Sequence, residues 1–151
     1  TNRGASGIDG LIATAAGVAK ADPTQPTTLL LGDTSALFDL NSLALLRSLN
    51  SPFVLIIINN DGGNIFHMLP VPEHNQIREH FYQLPHGLNF QASAEQFQLA
   101  YAAPTDVSSF QHAYQQALTQ HSATILECKV AVGEAANWLK GLAQHVRDLS
   151  V

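Results

Sequence analysis

The chain has 151 residues, which is long enough for one domain with its own hydrophobic core. Apolar residues make up 46% but charged residues only 13%, about half the usual charged fraction, so we expect other protein to cover much of the surface. The net charge of −5, with no Lys/Arg cluster, argues against nucleic acid as a partner, and no apolar run approaches the ~20 residues that span a membrane.

The ends and the single cysteine give further expectations. The chain starts at Thr1 and its only methionine is Met68, so we expect it to be a fragment of a longer protein. There is no basic start followed by an apolar signal region. Cys128 has no second cysteine to pair with, which fits a reducing, cytoplasmic compartment, and we expect it to be buried and inert.

The first half of the chain is typical of a β-α-β unit. Residues 28–31 and 53–58 are apolar runs of strand length, and between them a helix is predicted over residues 42–49 with Asn41 as its N-cap. Another helix is predicted over residues 8–21. The second apolar run lacks alternation, as in a strand covered on both faces. The two strands should be parallel, with their carboxyl ends at one edge of the sheet.

The second half is less regular at first, and residues 64–91 are predicted to form a functional loop. The elements predicted there and beyond are a short helix over 73–82, a short strand over 88–90, a helix over 94–100 capped by Ser93, a helix capped by Asp106, a strand over 124–130 and a helix over 134–149. Alternating strands and helices indicate a single α/β domain over residues 1–151, a three-layer α/β/α fold with a mainly parallel sheet.

Polar residues follow both strands of the β-α-β unit. Asp33 comes after the first strand and Asn60 after the second, so we expect them to meet at the edge where open α/β sheets bind ligands. Each residue alone would be an ordinary turn residue. Together their oxygens suit Mg²⁺ with phosphate, the glycines allow close backbone approach, and a helix beginning after Ser35 would add N–H groups. The pattern predicts a magnesium-diphosphate site.

These residues also carry a family resemblance. Gly32-Asp33, followed at this interval by Asn59-Asn60, resembles the cofactor motif of thiamine-diphosphate (ThDP) enzymes. Residues 2–10, 32–41 and 59–66 together resemble the carboxy-terminal domain of the menaquinone-pathway synthases within that family. The resemblance implies that Asp33, Asn60 and the Gly62 carbonyl bind Mg²⁺. Thr34 stands where the general motif has glycine, and the menaquinone branch also tends to carry a non-glycine residue there.

The resemblance assigns further roles. Ile8 would hold the cofactor in its bent conformation, although a large apolar residue there could simply begin a helix core. Arg3 would grip a substrate carboxylate, although it could be a solvated charge, and Ile65 and Phe66 would line the substrate pocket or anchor the loop. The implied cofactor-binding residues are Ser6, Gly7, Ile8, Gly32, Thr34, Ser35, Asn64 and Ile65.

The implied activity belongs to the whole enzyme. It decarboxylates 2-oxoglutarate and adds the succinyl carbanion equivalent to isochorismate. The activating glutamate of this family lies on a pyrimidine-binding domain contributed by a second subunit, so no catalytic residue is expected in this chain. We therefore expect the fragment alone to be inactive and the full-length enzyme to be a homodimer or homotetramer.

Two other functions fit parts of the sequence pattern. A non-catalytic subunit of the same fold, or a related ThDP enzyme acting on another 2-oxo acid, would share much of this pattern. The seven histidines include no His-x-x-x-His pair and no cysteine partner, which argues against zinc, and His67 is left unassigned. No nucleophile elbow or nucleotide-binding P-loop occurs, and the glycines of residues 4–10 do not follow a strand as a nicotinamide site requires.

Overall fold

The structure, a computed structural model, describes residues 7–68 and 75–149. Its elements in chain order are α1 Leu11–Ala21, β1 Thr27–Gly32, α2 Asp33–Phe38, a 3₁₀ turn Leu40–Ser42, α3 Leu43–Leu46, β2 Phe53–Asn59, a 3₁₀ turn Asn64–Met68, α4 Asn75–Arg78, a π-helical turn Glu79–Gln83, α5 Gln91–Gln96, β3 Ala100–Ala102, α6 Val107–Leu118, β4 Ala123–Lys129 and α7 Glu134–Asp148.

The described strands form one sheet in the order β1-β2-β4-β3, and every neighbouring pair is parallel. In the register of β1 and β2, Gly32 lies opposite Ile58, so these two strands end at the same edge. The predicted mainly parallel sheet is therefore confirmed, as is the common edge of the β-α-β unit.

Strand β2 is buried on both faces, as its unbroken apolar run predicts. Phe53, Leu55 and Ile57 pack into a core with side chains of α1, α2, α3 and α5. Val54 and Ile56, which point the other way, pack with side chains of α6. Helices thus cover the two faces of the sheet, and the three-layer α/β/α architecture is confirmed.

The contacts within the chain divide it into two compact units. The first unit runs to Asn59 and resumes at Leu88–Lys129, and it contains the sheet with the helices that cover it. The second comprises Asn60–Gly87 and the residues from Val130 onward, so it contains the 3₁₀ turn Asn64–Met68, α4, the π-helical turn and α7.

Several boundaries in the first half differ from prediction. The three long strands agree with the predicted ones to within one residue at each end. The first helix begins at Leu11 rather than at residue 8, because Gly10 has a left-handed backbone (φ 72°). Asn41 is not an N-cap, since it lies inside a 3₁₀ turn before the short α3. The helix expected after Ser35 begins earlier, at Asp33.

The second half holds the larger errors. No strand forms over residues 88–90, where the Phe90 N–H donates to the Glu127 carboxylate instead of to a neighbouring strand. The helix predicted over 94–100 is displaced to Gln91–Gln96, so Ser93 lies inside it, and β3 takes its last predicted residue. Gln98 causes this displacement, because its left-handed backbone (φ 56°) ends the helix.

The helix predicted over 73–82 begins outside the described residues, and α4 with the π-helical turn covers the rest. The Asp106 cap is confirmed: its carboxylate accepts the Ser109 N–H at 2.8 Å, and hydrogen bonds from that N–H and hydroxyl lower the pKa of Asp106. The closing helix α7 is also confirmed. Among the described residues, no helix combines the length and hydropathy that a membrane crossing requires.

Cys128 is half-buried rather than fully buried. Burial, followed by the nearby negative charge of Glu127, raises the pKa of its thiol. A raised thiol pKa lowers the thiolate fraction, which is the reactive form. The side chain therefore lacks the activation that a nucleophilic cysteine needs.

Candidate functional site

The β-α-β unit places Asp33 where the sequence predicts it. Asp33 is the first residue of α2 and directly follows the last residue of β1. Its side chain is only 2% exposed, and its Oδ1 accepts hydrogen bonds from the Thr34 N–H at 2.6 Å and the Thr34 hydroxyl at 3.3 Å. A carboxylate buried this deeply needs compensating partners. Asp33 is thus a buried acid at the carboxyl edge of the sheet.

The paired asparagines after β2 have different surroundings. Asn59, the last residue of β2, is buried, and its amide donates to the Glu127 carboxylate at 2.7 Å and to the Leu88 carbonyl at 3.0 Å. Asn60 is the first residue of the second unit and is only partly buried. Asn59 is therefore engaged inside the first unit, whereas Asn60 belongs to the second.

The second unit holds a tight turn at residues 61–64. Gly62 has φ 105°, and a Cβ there would lie 2.3 Å from the Gln83 carbonyl oxygen, so only glycine fits. The neighbouring Gly63 N–H donates to that same carbonyl at 2.7 Å. The Gly62 carbonyl accepts the Asn64 N–H at 2.8 Å.

Asn64 connects two parts of the second unit. It is buried, its amide donates to the Asn60 carbonyl, and its Oδ1 accepts the Gly133 N–H at 3.1 Å just before α7. A cavity of about 220 Å³ adjoins it. Its lining residues are Asn60, Asn64, Ile65, Met68, Val130, Ala131, Gly133, Glu134, Ala135 and Ala136. Three residues predicted from the sequence, Asn60, Asn64 and Ile65, therefore line one cavity.

Ile65 and Phe66 occupy different environments. Ile65 is 61% exposed, whereas Phe66 is partly buried and packs edge-to-face on Tyr82 with ring centroids 5.4 Å apart. Phe66 therefore packs on the π-helical turn of the second unit, whereas most of the Ile65 side chain is exposed.

The turn that precedes α1 carries Gly7 and Ile8, while Arg3 and Ser6 lie outside the described residues. Ile8 is 40% exposed. The Asp39 carboxylate accepts the first free N–H groups of α1, from Ile12 at 2.6 Å and Ala13 at 3.2 Å. Because a protein carboxylate already occupies that helix start, an external anion is not needed there.

Some residues of this region were not singled out from the sequence. Asp61 Oδ1 accepts hydrogen bonds from the backbone N–H groups of His86 at 2.9 Å and Gly87 at 2.8 Å. These bonds join the beginning of the second unit's segment 60–87 to its end. His67 Nε2 lies 3.1 Å from Gln83 Oε1, so the unassigned histidine contacts a buried glutamine. No group of three or more His, Cys, Asp or Glu that could hold a metal occurs in residues 7–68 and 75–149.

A larger cavity, of about 780 Å³, lies elsewhere in the second unit. Its lining residues are Ile77, Glu79, His80, Phe81, Leu84, Pro85 and His86. None of the residues predicted for the cofactor, metal or substrate is among them. The smaller cavity beside Asn60 is therefore the one that agrees with the chemistry.

Comparison with known families decides what this arrangement is. Residues 2–128 match the family model described as thiamine pyrophosphate enzyme, C-terminal TPP binding domain. The chain belongs to this family. Thiamine pyrophosphate is ThDP, so the cofactor implied by the Asp33 and Asn59-Asn60 motif is the cofactor for which the family is named.

Relatives of known name agree with this assignment. A 2-succinyl-5-enolpyruvyl-6-hydroxy-3-cyclohexene-1-carboxylate synthase from Shewanella frigidimarina is 54% identical over 148 residues, which are 98% of this chain and 25% of that protein. The synthase of the same name from Aeromonas salmonicida is 54% identical over 153 residues, covering 99% of this chain and 27% of that protein. The chain thus spans about a quarter of the length of these relatives.

Solved structures support the fold. A thiamine diphosphate-dependent 4-hydroxybenzoylformate decarboxylase from Rhodococcus jostii superposes with a TM-score of 0.63 at 24% identity, covering 78% of this chain and 22% of that one. A benzoylformate decarboxylase from Polynucleobacter necessarius also gives 0.63, at 16% identity, over 80% of this chain and 22% of that one. At these identities the match establishes the shared ThDP-enzyme fold and nothing finer.

Proposed function

We propose that this chain is the diphosphate-binding domain of a ThDP- and Mg²⁺-dependent carboligase that decarboxylates 2-oxoglutarate and adds the remaining four-carbon unit to isochorismate. The observation that carries the proposal is 54% identity over nearly the whole chain to synthases named for that product. The benzoylformate decarboxylases, at 24% and 16% identity, are much more distant, which favours the synthase over a related 2-oxo acid decarboxylase.

The proposed metal ligands are the side-chain oxygens of Asp33 and Asn60 and the backbone carbonyl of Gly62. Two observations support this set. The β1 and β2 register brings both strand ends to one edge, and Asn59 is engaged in the first unit, which leaves Asn60 for the ligand role. A set of oxygen donors with one carboxylate fits Mg²⁺, which is usually held by one or two carboxylates together with phosphate oxygens.

The chain's own residues would bind and orient the cofactor. When bound, ThDP supplies the electron sink that a 2-oxo acid needs in order to lose carbon dioxide. Ile8, which is 40% exposed, offers an apolar surface to the cofactor's middle, and the exposed Ile65 offers one to its reactive end. The diphosphate contacts are assigned to Mg²⁺ and to residues around Asp33. The complete proposed set is Ser6, Gly7, Ile8, Gly32, Thr34, Ser35, Asn64 and Ile65.

Substrate recognition is assigned to Arg3, Ile65 and Phe66. Arg3 suits a carboxylate because its planar guanidinium donates two parallel hydrogen bonds. Both proposed substrates carry carboxylates. The activating glutamate is assigned to the pyrimidine-binding domain of a second subunit, in a homodimer or homotetramer of the full-length enzyme.

Calorimetric titration of ThDP into the full-length protein at saturating Mg²⁺ tests the proposal. The Asp33→Ala variant should bind ThDP at least tenfold more weakly than the wild type, because the metal loses its only carboxylate ligand. Asp148→Ala serves as the matched control, since Asp148 is exposed and bonds only to Gln144 among the contacts known for it. Equal ThDP affinity in Asp33→Ala and the wild type would refute the proposed metal site.

A further inference from the structure

Glu127 is a fully buried acid in the middle of the sheet. It belongs to β4, opposite Ile57 of β2, and its exposure is 0%. The two residues before it in the strand, Ile125 and Leu126, are apolar and equally buried. A carboxylate in such surroundings is costly unless it is hydrogen-bonded on all sides. Its partners should therefore reveal what the acid does.

Three donors from three parts of the first unit converge on this carboxylate. The Asn59 amide donates to Oε1 at 2.7 Å, and the Phe90 N–H and the Tyr101 hydroxyl donate to Oε2, each at 2.8 Å. Burial and the contact with Glu127 raise the pKa of Tyr101, so its hydroxyl keeps the proton that it donates. The end of β2, the start of α5 and β3 are thus joined at one side chain.

Asn59 extends this network to the chain entering from the loop. Its amide also donates to the Leu88 carbonyl at 3.0 Å. Asn59 is the last residue of the first unit before residues 60–87, and Leu88 is the first residue after them. The Glu127 carboxylate and the Asn59 amide together hold the two ends of that segment at a defined separation, which lowers the number of conformations open to it.

Segment 60–87 begins with two of the proposed metal ligands. Asn60 follows Asn59 directly, and Gly62 comes two residues later. We propose that Glu127 is a positioning residue for the Mg²⁺ site, acting through Asn59 on the chain that supplies Asn60 and Gly62. This inference rests on the proposed function, because it assigns a role toward the metal ligands proposed there.

Glu127→Gln in the full-length enzyme tests the inference. The glutamine side chain has nearly the same shape as glutamate. Its NH₂ group must nevertheless face at least one of the three groups that donate hydrogen bonds to the carboxylate. We expect the Mg²⁺ dissociation constant, measured by calorimetry at saturating ThDP, and the Mg²⁺ concentration for half-maximal activity each to rise at least tenfold. The kcat at saturating Mg²⁺ should stay within threefold of the wild type, because the fully buried Glu127 side chain is not among the residues proposed to contact cofactor or substrate.

Glu95→Gln is the matched control, since it is the same substitution at an exposed position of α5, bonded to Gln91. It should leave the Mg²⁺ dependence unchanged. If Glu127→Gln does not fold, Asn59→Ser decides the question, because it removes the link and keeps the carboxylate. The positioning role is overturned if the variant that folds, Glu127→Gln or otherwise Asn59→Ser, has the same Mg²⁺ dependence as the wild type.

The Mg²⁺ dependence, together with the ThDP titration of Asp33→Ala, separates this inference from the proposed function. If the wild-type enzyme itself needs no Mg²⁺, or if Asp33→Ala retains wild-type ThDP affinity, the proposed metal site fails and the positioning role fails with it. Normal Mg²⁺ dependence in the wild type together with unchanged dependence in Glu127→Gln overturns the positioning role alone.

Discussion

Chemically similar side chains near the carboxyl edge of the sheet have different surroundings. Asn59 and Asn60 are adjacent and chemically identical, yet the first is bound to the buried Glu127 and the second is partly buried beside a cavity. Asp33 and Glu127 are both fully buried acids in a chain with few charges. Their positions differ, because Asp33 directly follows β1 at the carboxyl edge of the sheet, whereas Glu127 lies inside β4.

Gly62 gives a prediction at this scale. In Gly62→Ala the new methyl group would meet the Gln83 carbonyl at 2.3 Å, and the φ of 105° is itself unfavourable for alanine. Such backbone strain costs about 1–3 kcal/mol, before the clash is counted. We expect the hydrogen bond from the Gly63 N–H to Gln83 to be lost, which hydrogen exchange of the Gly63 amide measures as faster exchange.

Gly141→Ala is the control for this substitution. Gly141 lies inside α7, and a Cβ there would meet nothing within 4 Å. Alanine is the better helix former by about 1 kcal/mol, so this variant should leave the Gly63 amide unchanged and protect α7 amides more strongly. Unaltered exchange at Gly63 in Gly62→Ala would contradict the account of the turn.

At the scale of elements, α1 depends on a cap from a distant part of the chain. Gly10 precedes the helix and has no side chain to cap it, and the Asp39 carboxylate accepts the N–H groups of Ile12 and Ala13 instead. Ser42 also donates to Asp39. One carboxylate therefore fixes where α1 starts relative to the turn after α2.

The prediction for this element is that Asp39→Ala frays α1. Each N–H group left without an acceptor costs about 1–3 kcal/mol. Hydrogen exchange of the Ile12 and Ala13 amides should become markedly faster. Asp22→Ala, at the exposed opposite end of the same helix, should not change these two amides. If the Ile12 and Ala13 amides exchange as slowly in Asp39→Ala as in the wild type, the Asp39 cap does not stabilise the helix.

The elements that could be predicted from the sequence share a local signal. The unalternated run of β2 and the Asp106 cap both depend on residues close together in the sequence, and the structure confirms both predictions. Asp33 at the end of β1 follows from the same logic, because parallel strands end at one edge. The family resemblance added roles that no spacing could supply.

The errors come from long-range or atypical contacts. Gln98 ends α5 in a left-handed conformation that usually belongs to glycine or asparagine, so the helix was extended over β3. Asp39 caps a helix whose first residues lie more than 25 positions earlier. For Glu127 the sequence does carry a signal, because a single acid within a mostly apolar strand indicates a buried hydrogen-bond network.

At the scale of the whole molecule, the surface fits the low charge of the sequence. Among the described residues, α7 exposes a stripe of large apolar side chains: Trp138, Leu139, Leu142, Val146 and Leu149. Leu30 of β1 and Phe38 of α2 are also more than 60% exposed. The chain spans about a quarter of the length of the related synthases. The oligomer itself stays a prediction.

The central claim is that oxygen atoms from two neighbouring strand ends bind the Mg²⁺ ion that holds the cofactor's diphosphate. A crystal structure of the full-length protein with ThDP and Mg²⁺ tests it most directly. The account predicts the ion about 2.0–2.1 Å from a side-chain oxygen of Asp33, a side-chain oxygen of Asn60 and the Gly62 carbonyl. An ion bound by other residues, with Asp33 still enclosed against Thr34, would contradict it.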